Sequence, residues 1–135
     1  MKELKAKEYN RFEDIKIVRE DGSEFWYARE LASALDYTQW RNFENAIKRA
    51  MIACENSGHD VSVDFAEVSK IVEAGATKKK IKDYELTRYA CYLIVQNGDP
   101  RKEEIALGQT YFAIQTYRQE LADRFNDLDE DRRRL

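Results

Sequence analysis

The sequence predicts an α+β domain with an N-terminal β-hairpin, a mainly helical body and a long C-terminal helix. Three observations carry that expectation. Asp21-Gly22 lies between two short runs rich in β-formers, Ile15–Arg19 and Glu24–Tyr27, and Asp-Gly is a strong hairpin signal. Phe43, Ile47, Ala50, Met51 and Cys54 recur at the spacing of one helical face. A last helix is expected from Pro100 to at least Phe125.

Composition permits such a domain. At 135 residues, with 43% hydrophobic and 12% aromatic content, the chain can fill one core, so its 36% charged fraction does not imply disorder. No stretch approaches the ~20 apolar residues that cross a bilayer, and none has the form of a secretory signal. Cys54 and Cys91 fall inside expected helices, which points to two free buried thiols in a reducing cytoplasm.

Residues 1–11 are polar and are read as a flexible or weakly helical start. The Ile15–Tyr27 hairpin needs a second layer, which Leu31, Ala34 and Leu35 of a short helix from about Ala28 to Leu35 can supply. Thr38 can cap a longer helix from about Gln39 to Asn56, ended by Ser57-Gly58. Val61–Val72 is read as a helix with Phe65, Val68, Ile71 and Val72 facing inward, although its β-branched content also permits extended structure. Glu73–Lys80 is read as a loop or hairpin tip, and Ile81–Leu86 as a strand. Thr87 can cap the following helix, in which Tyr89, Ala90, Leu93, Ile94 and Asn97 share a face. Gly98 is placed as a left-handed C-terminal residue, and Asp99-Pro100 as the start of the last helix.

The last helix carries two apolar tracks. Ile105, Phe112 and Ala113 are expected in the core, and Gly108 marks the close approach of another backbone. Leu107, Tyr111, Ile114, Arg118, Leu121, Phe125 and Leu128 are spaced alternately by four and three, the seam of two helices packed along their length. Two readings stay open: a broad buried face within one domain, or a protein interface formed by Leu107, Tyr111, Ile114, Leu121, Phe125 and Leu128.

Chemistry is sparse. His59 is the one histidine and the cysteines lack ligand spacing, so neither a metal site nor a cofactor is expected. There is no phosphate-binding glycine loop, and an enzyme is not expected. Net charge is −3, which counts against a protein that coats nucleic acid indiscriminately. Yet Ala74–Tyr92 holds five bases against two acids, whereas Asp99–Leu135 holds seven against nine. The candidate DNA-binding set is therefore local: Lys78, Lys79, Lys80 and Lys82, with Arg88, Tyr92 and Gln96 in a row one turn apart on the next helix. Ammonium groups contact phosphates and release counterions, and a guanidinium, an aromatic ring and an amide can meet phosphate, base face and base edge. The helix start at Arg88 could hold a phosphate as well. Arg41, Lys48 and Arg49 are read mainly as ordinary surface charge.

Arg88–Asp99, Gly108–Thr116 and Arg118–Leu121 closely resemble the DNA-damage-inducible protein D (DinD) family, which belongs with the Bro-N type domains of phage antirepressors and baculovirus repeat proteins. Ala53–His59 and Phe12–Lys16 resemble the same pattern. The likeness spans roughly residues 12–121, leaving residues 122–135 as a helical extension that is expected to lead into a further region of a longer protein. The resemblance implies a DNA-associated accessory protein of the bacterial damage (SOS) response, with no catalytic residues to carry over. Its implied partners are DNA, single-stranded included. A recombinase filament of the RecA type and a homodimer through the last helix stand as alternatives.

Overall fold

The computed structural model describes residues 6–134. It is an α+β fold of six helices and one antiparallel sheet: α1 (Ala6–Ile15), β1 (Ile17–Val18), β2 (Glu24–Tyr27), α2 (Ala28–Ala34), α3 (Trp40–Asn56), α4 (Val61–Asp64), β3 (Phe65–Ala74), β4 (Thr77–Leu86), α5 (Arg88–Gln96) and α6 (Glu103–Arg134). The sheet order is β1-β2-β4-β3.

The N-terminal hairpin forms where it is expected, but its first strand is shorter. Val18 pairs with Glu24 and Ile17 with Phe25. Gly22 takes a φ of 88°, and the Asp21 carboxylate accepts from the Ser23 amide at 2.8 Å. Ile15 ends α1 instead of opening a strand. That helix also takes in residues 6–11, read above as flexible or weakly helical, whereas residues 1–5 lie outside the described residues. Phe12 explains the difference: its ring is fully buried, stacked 5.1 Å from Tyr111. A polar segment thus gains helix through one aromatic anchor, as tertiary packing supplies most helical stability.

That anchor belongs to the core. Trp26 meets Phe112 edge-on at 5.2 Å, and its indole N–H donates to the Phe12 carbonyl at 3.0 Å, so the buried donor is satisfied. Leu31, Leu35, Phe43, Ile47, Leu86 and Ile94 pack in the same cluster. Ile105 and Phe112 join it as expected, but Ala113 is exposed on the opposite side of α6.

Caps account for several boundaries. Gly58 at φ 84° closes α3, with the His59 amide donating to the Cys54 carbonyl and the Gly58 amide to that of Glu55. The Thr87 hydroxyl accepts from the Ala90 amide at 3.2 Å and starts α5. Thr38 does not cap α3, whose flanking residue is Gln39 without a side-chain bond. Gly98 is not left-handed. Its small size is what counts, because a Cβ there would meet the Ile105 side chain at 2.8 Å. Gly108 is likewise approached by side chains, not backbone: a Cβ would meet Leu35 at 2.9 Å and Val95 at 3.1 Å.

The largest correction concerns Val61–Val72. Only Val61–Asp64 is helical, and Phe65–Ala74 is a strand paired with Thr77–Leu86 over ten rungs. Phe65, Val68, Ile71 and Val72 imitate a helical face in spacing, but a two-residue Gly75-Ala76 loop with Gly75 at φ 66° closes a hairpin instead. Lys78, Lys79 and Lys80 consequently lie on a strand and not on a loose tip.

Candidate nucleic-acid interface

The β3–β4 ribbon is anchored at one end and free at the other. β2 pairs with β4 only at Trp26–Leu86 and Tyr27–Glu85, so among the described residues no strand pairs with β4 further out on that side. At the base Phe65, Asp83, Tyr84 and Leu86 are buried, whereas residues 71–74 and 77–80 are exposed.

Asp83 fastens the base. Its carboxylate is fully buried on β4, accepts from the Arg29 amide in the first turn of α2 at 3.0 Å, and meets Lys70 Nζ at 2.8 Å. Lys70 also lies 3.5 Å from the centroid of the Tyr27 ring. The Arg29 guanidinium donates to the Lys82 carbonyl at 2.7 Å and stacks 4.2 Å over Trp40. Three charged residues, Asp83, Lys70 and Arg29, thereby tie β3 and β4 to α2 and β2.

The lysines separate into two groups. Lys82 is held by Glu44 at 3.2 Å and Glu67 at 3.3 Å, and hydrogen bonding with Tyr84 first, then with these two carboxylates, raises its pKa. It is charged but already neutralised. Lys78, Lys79 and Lys80 are exposed, and no ion pair among the described residues holds them. Cross-strand pairing puts Lys78 opposite Glu73, Lys79 opposite Val72 and Lys80 opposite Ile71. Because side chains alternate along a strand, Lys78, Lys80, Glu73 and Ile71 share one face and Lys79 projects from the other.

The α5 residues have a different setting. Arg88 is half-buried with Nη1 3.9 Å from the Glu24 carboxylate. Tyr92 packs partly against the core, and Gln96 is exposed. A phosphate at the start of α5 would meet Asp64, which accepts the Thr87 hydroxyl at 2.6 Å, and Glu24, so the local charge there opposes an anion. His59 lies 4.4 Å from the Tyr89 ring, and the Tyr89 hydroxyl is 3.2 Å from that of Ser57. Both cysteines are buried and free; burial pushes the Cys91 thiol well up, and burial followed by Asp64 raises that of Cys54. Among the described residues no three His, Cys, Asp or Glu side chains gather as a metal site, and no helix is long and apolar enough to cross a membrane.

The expected protein-interface seam also divides. Tyr111 is fully buried, its hydroxyl donating to Glu13 at 2.7 Å, and Leu107 packs on the core, so these two are domain interior and not interface. The reason is α1: Phe12 brings its own aromatic surface onto α6. Ile114 and Leu121 are half-buried, while Phe125 is 69% and Leu128 56% exposed.

Sequence reasoning missed the β3 half of the ribbon, namely Lys70, Ile71, Val72 and Glu73. The available signal was the β-branched run before Ala74-Gly75-Ala76-Thr77, a two-residue hairpin turn flanked by a second alternating run.

The sequence is similar to known proteins. DNA damage-inducible protein D of Escherichia coli (strain K12) is 53% identical over 127 residues, covering 92% of this chain and 46% of that protein. The chain thus spans about half the length of the curated relative it matches. No solved structure matches it. The profile of the BRO family, N-terminal domain, covers residues 14–113, from the end of α1 through the whole ribbon to the buried half of α6, and the chain belongs to that Bro-N family.

Proposed function

We propose that this chain is a non-enzymatic DNA-binding accessory domain acting in the bacterial DNA-damage (SOS) response, in contact with DNA through the outer part of the β3–β4 ribbon. The observation that carries the reading is the exposure of Lys78, Lys79 and Lys80 on a projecting strand where Glu73, opposite Lys78, is the one acid across the pairing and no ion pair among the described residues holds them. Each ammonium gains from phosphate by releasing condensed counterions, and a net charge of −3 over the whole chain confines the contact to that arm. The damage-response role rests on likeness to a relative named for DNA-damage induction. Lys82 and Arg88 act here as struts, held by Glu44, Glu67 and Glu24.

Fluorescence anisotropy with labelled oligonucleotides at low salt tests this. Replacing Lys78, Lys79 and Lys80 together by Ala is expected to weaken binding about tenfold or more and to flatten the salt dependence by about one unit of slope per lysine. An unchanged isotherm sinks the reading.

The exposed Phe125 and Leu128, with half-buried Leu121 beside them on α6, favour a second role, as an apolar surface for a second copy of this chain, or for a protein partner such as a recombinase filament on DNA.

A further inference from the structure

We infer that the ribbon enters the major groove of duplex DNA and turns its Ile71–Glu73–Lys78–Lys80 face toward the base edges; this rests on the DNA-binding reading above and specifies the form of DNA. Shape and chemistry both point there. A two-stranded ribbon has its strands about 4.8 Å apart, and such a ribbon enters the major groove, about 12 Å wide, without deforming the duplex, whereas the minor groove, about 6 Å wide, must be opened at an energetic cost to take one. Residues 71–74 and their β4 partners are exposed. At about 3.3 Å per residue they give a free reach of about 13 Å, more than the about 8.5 Å depth of the groove.

The two faces of that reach differ. One presents Lys78 opposite Glu73 and Lys80 opposite Ile71. An ammonium donates to guanine O6 and N7, a carboxylate accepts from cytosine N4, and an aliphatic group meets the thymine methyl. The reverse face offers Val72, Lys79, Ala74 and Thr77, with a single charge for the backbone. Ile71, 69% exposed on a soluble arm, is otherwise an apolar side chain with nothing to cover it.

Single strands fit poorly. Binding of unpaired bases relies on aromatic platforms, and between Lys70 and Lys82 the ribbon has no aromatic residue. Tyr84 is buried at the base, and the Tyr27 ring is covered by Lys70.

The experiment uses the 135-residue chain and three probes at one low salt concentration: a mixed-sequence duplex of about two helical turns, one of its strands alone, and the same duplex carrying glucosylated 5-hydroxymethylcytosine. The glucose fills the major groove while leaving phosphates and minor groove unchanged. Tighter binding to the plain duplex than to the single strand, with a loss of about tenfold on glucosylation, is expected from a groove contact of this size. Equal affinity for the two duplexes, or tighter binding to the single strand, overturns groove entry. The lysine triple variant run beside them separates the layers: if it binds the plain duplex as the wild type does, the DNA-binding reading itself has failed. Ile71→Ala, at an exposed position that does not support the fold, is expected to weaken duplex binding and leave single-strand binding unchanged; equal loss on both probes counts against base-edge contact.

Discussion

Asp83 is the one buried charged residue among the described residues. It is fully buried, yet two amides and the Lys70 ammonium surround it, and it caps α2 from a different element because Tyr27 has no capping group. Truncation would strand Lys70 and remove the cap together. Asp83→Ala is expected to lower stability by about 3 kcal/mol, as removal of one partner of a buried pair does. Lys70→Met, which leaves the fully buried carboxylate with its two amides alone, should cost a comparable amount. Urea unfolding at neutral pH measures both, and a loss below about 1 kcal/mol for Asp83→Ala would refute the capping role. Asp99 gives a pH signature at the same scale. Bonding to Arg101 lowers its pKa from 3.8 to about 2. A carboxylate depressed in the folded state favours folding at pH above 3.8, and that contribution disappears as pH falls from 3.8 through about 2. Arg101→Ala should bring the Asp99 titration, followed by carboxyl carbon NMR, back up toward 3.8, and a midpoint that stays at about 2 would assign the shift elsewhere. Such residues were unevenly legible in the sequence. Thr87 could be read as a cap because its partner lies three residues on; Asp83 could not, because Arg29 lies 54 positions away and the alternation of Ile81–Leu86 groups it with the ordinary polar Glu85.

Among the elements, the ribbon is where local pattern and tertiary structure disagreed, and the reason is burial. A strand is recognised by one apolar and one polar face, but the outer ribbon has no buried face, so Ile71 and Val72 stand on opposite sides and mimic helical spacing. Elements with one buried face could be read from their periods: α3 closely, and α5 with its face rotated, since Ala90, Cys91, Ile94 and Val95 are buried while Asn97 of the expected face is exposed. The candidate site was legible in β4, where charge marks it, and illegible in β3, where it depends on pairing. The same lack of burial sets the dynamics. Rungs 71–74 and 77–80 are held by backbone hydrogen bonds open to water, whereas Phe65, Tyr84 and Leu86 are packed. Amide hydrogen exchange should be fast in the outer rungs and slow at the base. Uniform protection along β3 and β4 would show that something covers the arm.

At the scale of the whole molecule, two exposed elements carry different chemistries. The ribbon concentrates ammonium groups on an anionic body, while α6, about 48 Å long at about 1.5 Å per residue, leaves the core after its first few turns. Phe112 and Ile105 bury one end of that helix, but every described residue from 122 to 128 is exposed. An exposed Phe125 and Leu128, continuing from a half-buried Leu121 by steps of four and three, give the far end a narrow stripe suited to a second helix alongside. Self-association through this stripe would place two ribbons in one particle and raise avidity for DNA without any new DNA contact. Sedimentation equilibrium at tens of micromolar should then find a concentration-dependent dimer that Phe125→Asp with Leu128→Asp converts to monomer. Both positions are exposed, so the double variant should keep its circular dichroism and unfolding midpoint, which separates lost association from lost fold. Its DNA affinity should fall on duplexes long enough to engage two ribbons and stay level on short ones. A wild-type chain that is monomeric throughout, with equal affinities on both lengths, would leave the stripe to a different protein partner and the ribbon to act alone.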